Sequence, residues 1–600
     1  MAKELPNRSE VRKEDTWAIE DMYGSLSAWE GDIRRAQDLA EQARSKEHTM
    51  TDCAKELYEV LELYQECYKL LYLAANYANR AADVDTRNME NQANQQRVTG
   101  VLVEVASSLA FLEPKILEIP KETLEQWMKE EPGLSEYRIW FQELRRREAH
   151  TLSPEMEELL ASAGEMQQTP GQIFSMFNNA DVEFPEITDE AGEQVRITSG
   201  RYISMQCSSD RRVRKESFQG LYHTYRKFEN TLAAAYSGQV KQLIFEAKAR
   251  HYDSTLEAAV DANNVSPKVY ENLVETINEN MDKMHRYITL RKKCLGVEEL
   301  HMYDVYVPMI KEVDRRISFE EAKETVLEAL RPLGEGYVNL IREGFTHRWI
   351  DVYENQGKRS GAYAAGAYGA HPFVLLNYDE KLDDMFTLAH EMGHALHFYF
   401  SNENQPFLYS QYKIFVAEVA STCNEVLLME YLLAKTQDKK ERAYLINHFL
   451  ESFRTTVYRQ TMFAEYEKVT NEMAEAGKSL TAEVLKQTYY DLNCKYYGLD
   501  MVSDEEIAWE WCRIPHFYYN FYVYQYATGF SAAVAIARRI LQEGEPAVKD
   551  YLRFLSGGCS DSPVELLKIA GVDMSAKEPI QAALNVFGEL LDEMESLILE

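Results

Sequence analysis

The chain has 600 residues, 27% of them charged and 45% apolar, and a formal net charge of −33. Such a length is several times that of a single core. The negative field argues against nucleic acid and anionic membranes as partners, and no run of 18 apolar residues offers a membrane span.

The first residues, "MAKELPNRSEVRKEDTW", contain no apolar signal core, which points to the cytoplasm. "EVRKEDTWAIEDMYGSLSAWEGDIRRAQDLAEQARSK" and "DCAKELYEVLELYQECYKLLYLAANYANRAADV" repeat apolar residues every three or four positions. Residues 1–110 are therefore expected to form long antiparallel helices. A small helical lobe is expected over 111–200, ending in a β-hairpin where "VEFPEITDEAGEQVRIT" (182–198) alternates around "DEAGE". Residues 201–600 are expected to form one catalytic domain, opening with a helical run from about Tyr202 to Lys248. "HMYDVYVPM" (301–309) ends a helical region. Next comes the glycine-rich, aromatic stretch "WIDVYENQGKRSGAYAAGAYGAHPFVLLNY" (349–378). Within it "DVYE", "SGAYAAG" and "PFVLLNY" are expected as three short strands. From about Lys381 onward the pattern is helix and short loop. The predicted fold class is mainly α, with a small sheet beside the helix that carries the only clear metal motif. The eight cysteines form no C-x-x-C pair and read as buried free thiols.

That motif is "HEMGH", residues 390–394, inside "LAHEMGHALHFYF". Helical residues four apart differ by about 40° in direction and about 6 Å in rise, so His390 and His394 reach one ion. Glu391 stands beside the ligand stripe, where it can take a proton from a water whose pKa a zinc ion lowers. The apolar flanks indicate a buried helix, on which two histidines need partners. A catalytic zinc also needs a third protein ligand. Phe400 occupies the place of one histidine pattern, and His397 lies about 10 Å along the axis from His390. His397 reads as lining the substrate cleft or packing in the core. The predicted third ligand is Glu418, set among Val416, Ala417, Val419 and Ala420 in "KIFVAEVASTCNEVLLMEYLLAK". An acid there needs pairing or coordination. Glu425, two turns on, reads as a solvated acid or as support for a ligand.

These segments resemble oligoendopeptidase F, of the wider thimet-oligopeptidase family of zinc peptidases. The resemblance runs through "DTWAIEDMYGSLSAWE", "HMYDVYVPM", "KRSGAY", "HPFVLLNY", "HEMGHALH", "FVAEVASTCNE", "RQTMFAEYE", "RIPHFYYNFYVYQYATG" and "SGGCSDSPVELLKIAGVDM", in order over nearly the whole chain. It implies one zinc held by His390, His394 and Glu418, with Glu391 as general base. It also implies a two-lobed helical molecule with a deep central channel, and cleavage of short peptides in preference to folded proteins.

Three further segments bear on function. Small residues in "SGAYAAGAYGA", with Gly361, Ala362, Tyr363 and Gly366 as candidate contacts, suit an edge strand whose backbone pairs with an extended peptide. Arg454 and Arg459 are expected to pair with acids. In "PHFYYNFYVYQY" Pro515 is expected to open a helix with His516, Tyr519, Tyr522 and Tyr526 on one face. That face is either an aromatic core stripe or, as the resemblance implies, a source of substrate and transition-state contacts. The predicted activity is zinc-dependent endopeptidase. The alternatives are a zinc carboxypeptidase with the same ligands, a peptide-binding protein with structural zinc, and a metal-free helical scaffold.

Overall fold

The computed structural model describes residues 4–310 and 316–599. It is mainly α-helical, and the described residues contain three small sheets. The N-terminal helices fall where the periodicity puts them: α1 (Leu26–Ser45), α2 (Ala54–Asp83) and α3 (Met89–Leu109). Ser25 caps α1 by accepting from the Ala28 amide at 3.3 Å, which satisfies one of the orphan donors of the first turn. Trp29, Ile33, Ala36, Ala40 and Ala43 of α1 are all buried. The alanines keep the contact with α2 close, and Trp29 donates its indole N–H to the Ala74 carbonyl at 2.9 Å. Leu57, Leu61 and Leu71 of α2 are fully buried in the same core, each contributing about 2 kcal/mol.

The hairpin is present as β1 (Glu186–Thr188) and β2 (Gln194–Arg196), antiparallel with Ile187 opposite Val195. Its turn is tied by Asp189, whose carboxylate accepts from the Ala191 and Glu193 amides at 2.9 Å. The expected run from Tyr202 to Lys248 is not one helix. It is divided into Ser199–Gln206, Arg211–Arg226 and α4 (Glu229–Ala249). The break follows from "SSD", where Asp210 caps the next helix by accepting from the Arg212 amide. Next come α5 (Pro267–Glu279) and β3 (Leu300–His301).

Three strands form between 349 and 378: β4 (Ile350–Asp351), which starts before the expected "DVYE" and shares only Asp351 with it, and, within the other two expected segments, β5 (Tyr363–Ala365) and β6 (Phe373–Leu375). Their order is β4-β6-β5, with β4 parallel and β5 antiparallel to β6. β5 is thus an edge strand. β6 is fully buried, and Phe373 and Leu375 belong to the N-terminal helical core. The remaining elements used below are α6 (Leu382–Asn404), α7 (Ile414–Lys435), α8 (Arg459–Glu475), β7 (Met501–Val502) and α9 (Tyr524–Glu543). β7 pairs with β3, some 200 residues earlier, a pairing that no local pattern announces.

The chain divides into two compact units: Met1–Ala149, Arg315–Leu428 and Ile536–Val572 form unit 1; His150–Asp314, Met429–Ala535 and Asp573–Glu600 form unit 2. These bounds differ from a division into consecutive segments at 110 and 200. Unit 1 holds α1–α3, the β4-β6-β5 sheet and α6. Unit 2 contains a buried charge network in which Glu510, 2% exposed, pairs with Arg459 at 2.8 Å and accepts from the Tyr222 hydroxyl at 3.1 Å. Arg454, equally buried, pairs with Glu451 at 2.8 Å. Both arginines are therefore paired with acids, as their neighbours in sequence suggest. The thiols are unpaired, but Cys53 and Cys207 are exposed, contrary to the expectation of burial. No described helix is long and apolar enough to cross a membrane.

Candidate metal centre

The metal motif lies on α6, a helix capped by Asp384, which accepts from the Asp379 and Lys381 amides at 2.9 Å. Its Leu388, Ala389, Met392, Ala395 and Leu396 are fully buried, so the helix position is fixed by core packing. α6 lies directly against α7 at Gly393. A Cβ there would stand 2.6 Å from Ser421 Cα and 2.7 Å from the Ala420 carbonyl oxygen. The approach explains the glycine inside the motif. Asn424 of α7 pins the contact by donating to the Ala389 carbonyl at 3.1 Å, and it accepts from the Tyr337 hydroxyl at 3.0 Å.

This packing brings His390, His394 and Glu418 together. One ligand atom from each lies within 4.8 Å of the others, the one such group of His, Cys, Asp or Glu among the described residues. Glu418 Oε2 is 3.4 Å from His390 Nε2 and 3.6 Å from His394 Nε2. Both imidazoles thus present the same nitrogen to one point. The other ring nitrogen of His390, Nδ1, is hydrogen-bonded to Glu425 Oε1. Glu425 is therefore not a solvated acid: it orients a predicted ligand, the arrangement that fixes tautomer and ring direction in metal-binding histidines. Its position two turns after Glu418 was the available signal.

Glu391 is 6% exposed, and its Oε2 has no hydrogen-bond partner in the protein. Burial pushes its pKa up to about 7, with Glu418 and Glu425 adding to the rise and His390 and the Ala364 backbone opposing it. For His390 burial lowers the pKa, but the hydrogen bond and charge of Glu425 outweigh it and hold the ring near 9. Burial and the neighbouring His390 lower His394 to about 3. His394 is thus a neutral imidazole, and Glu425 holds the Nδ1 side of His390, which leaves Nε2 as the nitrogen turned to Glu418.

The glycine-rich strand lies against this helix. The Ala364 backbone acts on Glu391. A Cβ on Gly366 would sit 2.5 Å from the Phe398 ring, and Gly361 has φ +83°; both positions require glycine. Ala362 is half-buried next to them. Tyr363 does not offer its side chain as a contact: its hydroxyl donates to Asp83 at 2.5 Å and its ring packs beside Trp17. His397 is 1% exposed, stacked at 3.7 Å on Tyr412, with burial and His394 lowering its pKa to about 3. It is a core residue instead of a cleft-lining one.

Within unit 2 the segment 515–526 departs from the expected single helix. Pro515–Tyr518 is a 3-10 turn, Asn520 and Phe521 have φ of 56° and 55°, and α9 begins only at Tyr524. The four predicted side chains gather nonetheless. The His516 ring lies 5.6 Å from Tyr519, 6.2 Å from Tyr522 and 6.1 Å from Tyr526, and Tyr522 is 5.4 Å from Tyr526. Tyr519 is 56% exposed, so this is not a buried core stripe.

An H-E-x-x-H helix crossed by a second helix that supplies a carboxylate is the ligand arrangement of helical zinc peptidases. Residues 204–586 match the model of Peptidase family M3, and residues 115–184 match that of Oligopeptidase F. The chain is 46% identical to Oligopeptidase PepF of Bacillus subtilis over 599 residues, covering all of this chain and 89% of that protein. It is 41% identical to an Oligoendopeptidase F homolog of Lactococcus lactis, covering 100% and 99% of the two chains. The crystal structure of oligoendopeptidase-F from Enterococcus faecium superposes with a TM-score of 0.75 at 39% identity, covering 95% of this chain and 99% of that one. The chain belongs to peptidase family M3, in its oligoendopeptidase F branch, and is a peptidase acting on peptides.

Proposed function

We propose that this peptidase is zinc-dependent and cuts internal bonds of short, unstructured peptides. The observation that carries the reading is the convergence of His390, His394 and Glu418 within 4.8 Å, next in sequence to a buried glutamate with an unpartnered oxygen. The residues fit a zinc ion: two Nε2 atoms and one carboxylate oxygen face a common point, and Glu425 already occupies the far nitrogen of His390. Three protein ligands leave one position open, as catalysis needs. When bound, zinc supplies Lewis-acid polarisation of the scissile carbonyl and of the attacking water. Glu391 takes the proton from that water and delivers one to the leaving amine, as a buried carboxyl with one oxygen left unpartnered by the protein can. β5 offers its outer edge to an extended peptide, with open space beside Gly361, while Gly366 lets the Phe398 ring pack behind the strand. His516, Tyr519, Tyr522 and Tyr526, gathered within unit 2, are the candidate neutral donors to a peptide substrate.

The test uses a peptide of about ten residues blocked at both ends. The protein should cut it internally, lose that activity on chelation and regain it with zinc, while a stable folded domain survives. Removal of C-terminal residues only, from unblocked peptides only, would establish a carboxypeptidase instead.

A further inference from the structure

Asn520 and Phe521 adopt left-handed backbone in succession, with φ of 56° and 55°. Asparagine tolerates that region, but a bulky residue such as phenylalanine does so only when its surroundings impose it. Three neighbours in unit 2 do so. The Phe521 ring, 2% exposed, packs at 5.7 Å on Tyr270 of α5. The Asn520 side chain accepts from Gln239 Nε2 of α4 at 2.8 Å. The Phe521 amide donates to Glu467 Oε1 of α8 at 2.6 Å. Glu467 is 1% exposed, and its Oε2 has no partner in the protein. An acid is an expensive choice for such a site; burial raises its pKa to about 8 against the Phe521 amide, so at neutral pH the protonated acid accepts from that amide through one oxygen.

The turn separates His516 from Tyr522 and Tyr526 along the chain, and its reversal lets them meet. His516 and Tyr522 lie with ring planes only 12° apart. A continuous helix through 515–526 would place these rings otherwise, and the local sequence favours that helix. What prevents it is the anchoring of residues 520 and 521.

We infer that Glu467 is a positioning residue: through the Phe521 amide it fixes the left-handed turn that assembles His516, Tyr522 and Tyr526. The inference rests on the donor role proposed for those rings. Glu467 is closed off from solvent and acts only through the turn it holds.

The experiment compares Glu467→Leu, which removes the acceptor, with Glu467→Gln, which keeps a carbonyl oxygen. Four quantities are measured on the zinc-loaded protein: kcat and KM for the blocked peptide, bound zinc, and hydrogen exchange over residues 516–526. In Glu467→Leu kcat should fall roughly 10- to 100-fold with KM within about twofold. Exchange in the segment should quicken by about tenfold while zinc content stays unchanged. Glu467→Gln should restore both kcat and protection. Gln239→Leu, which frees Asn520 and leaves the α8 core intact, should shift both readouts the same way by less, and it decides the matter if Glu467→Leu does not fold. Wild-type exchange and kcat in Glu467→Leu, or equal losses in Leu and Gln, overturn the inference while leaving the peptidase reading intact. If His516→Ala, Tyr522→Phe and Tyr526→Phe all turn over like wild type, the donor reading fails and the positioning role falls with it.

Discussion

His390 is held from two sides, with Nε2 turned to Glu418 and Nδ1 bound to Glu425. The acids around it therefore differ in what their loss should do. Glu391→Gln is expected to keep zinc and lose nearly all turnover. Glu418→Gln should lose zinc affinity as well. Glu425→Gln should weaken zinc binding by about 10- to 100-fold, since it loosens a ligand instead of removing one. Zinc titration and peptide assays on the three variants separate these outcomes, and an empty site in Glu391→Gln would refute the assignment. At this scale much was legible. The spacing of His390 and His394 is a property of helix geometry, and Glu418 stood out as an acid between buried valines. The partnership of Glu425 was not legible, because a shared helix face does not say which side chain on the facing helix comes within reach. His397 was left between cleft and core for the same reason: it lies near the ligand stripe of α6, and its buried ring stacks on Tyr412.

The centre depends on how closely α6 and α7 approach, and Gly393 sets that distance. In Gly393→Ala the added methyl group meets the Ser421 and Ala420 backbone, which no side-chain rotation relieves. The helices must part. The variant should lose about 1–3 kcal/mol of stability and bind zinc more weakly, because His394 and Glu418 flank the contact. Thermal unfolding with and without zinc checks this, and an unchanged midpoint in both states would show that the contact yields easily. Elements with a strong period were readable from sequence: α1 to α3, α6 and α7, and even the edge position of β5, which glycine and alanine announce. The segment 515–526 was not. Its spacing of aromatic residues is that of a helix, and the left-handed pair at 520 and 521 is imposed by Glu467, Tyr270 and Gln239, all distant in sequence. The β3–β7 pairing escaped for the same reason.

Across the whole molecule, buried acids make stability depend on pH. Glu510 illustrates the sign. Burial alone would raise its pKa, but Arg459, Arg513 and Tyr489 bring it down from 4.5 to about 2. A carboxylate depressed on folding stabilises fully above its unfolded pKa and loses that contribution as pH falls through its folded value. The contribution, about 3 kcal/mol at neutral pH, should fade between pH 4.5 and 2. Urea midpoints for the native protein and Glu510→Gln should converge over that window; a constant gap would mean that the network does not titrate there. The helical class was readable from composition and period, whereas the division into two units was not, since it rests on contacts between segments hundreds of residues apart. That division governs how the protein is made. Unit 1 needs residues up to Val572 and unit 2 needs the final stretch to Glu600. Chain synthesis proceeds at about 5–20 residues per second, so on the ribosome His390, His394 and Glu418 emerge roughly ten seconds or more before the last segment of their own unit. For that interval a helix with a fully apolar face has no finished core to enter, and the nascent chain, more than the finished enzyme, is where a chaperone would be needed.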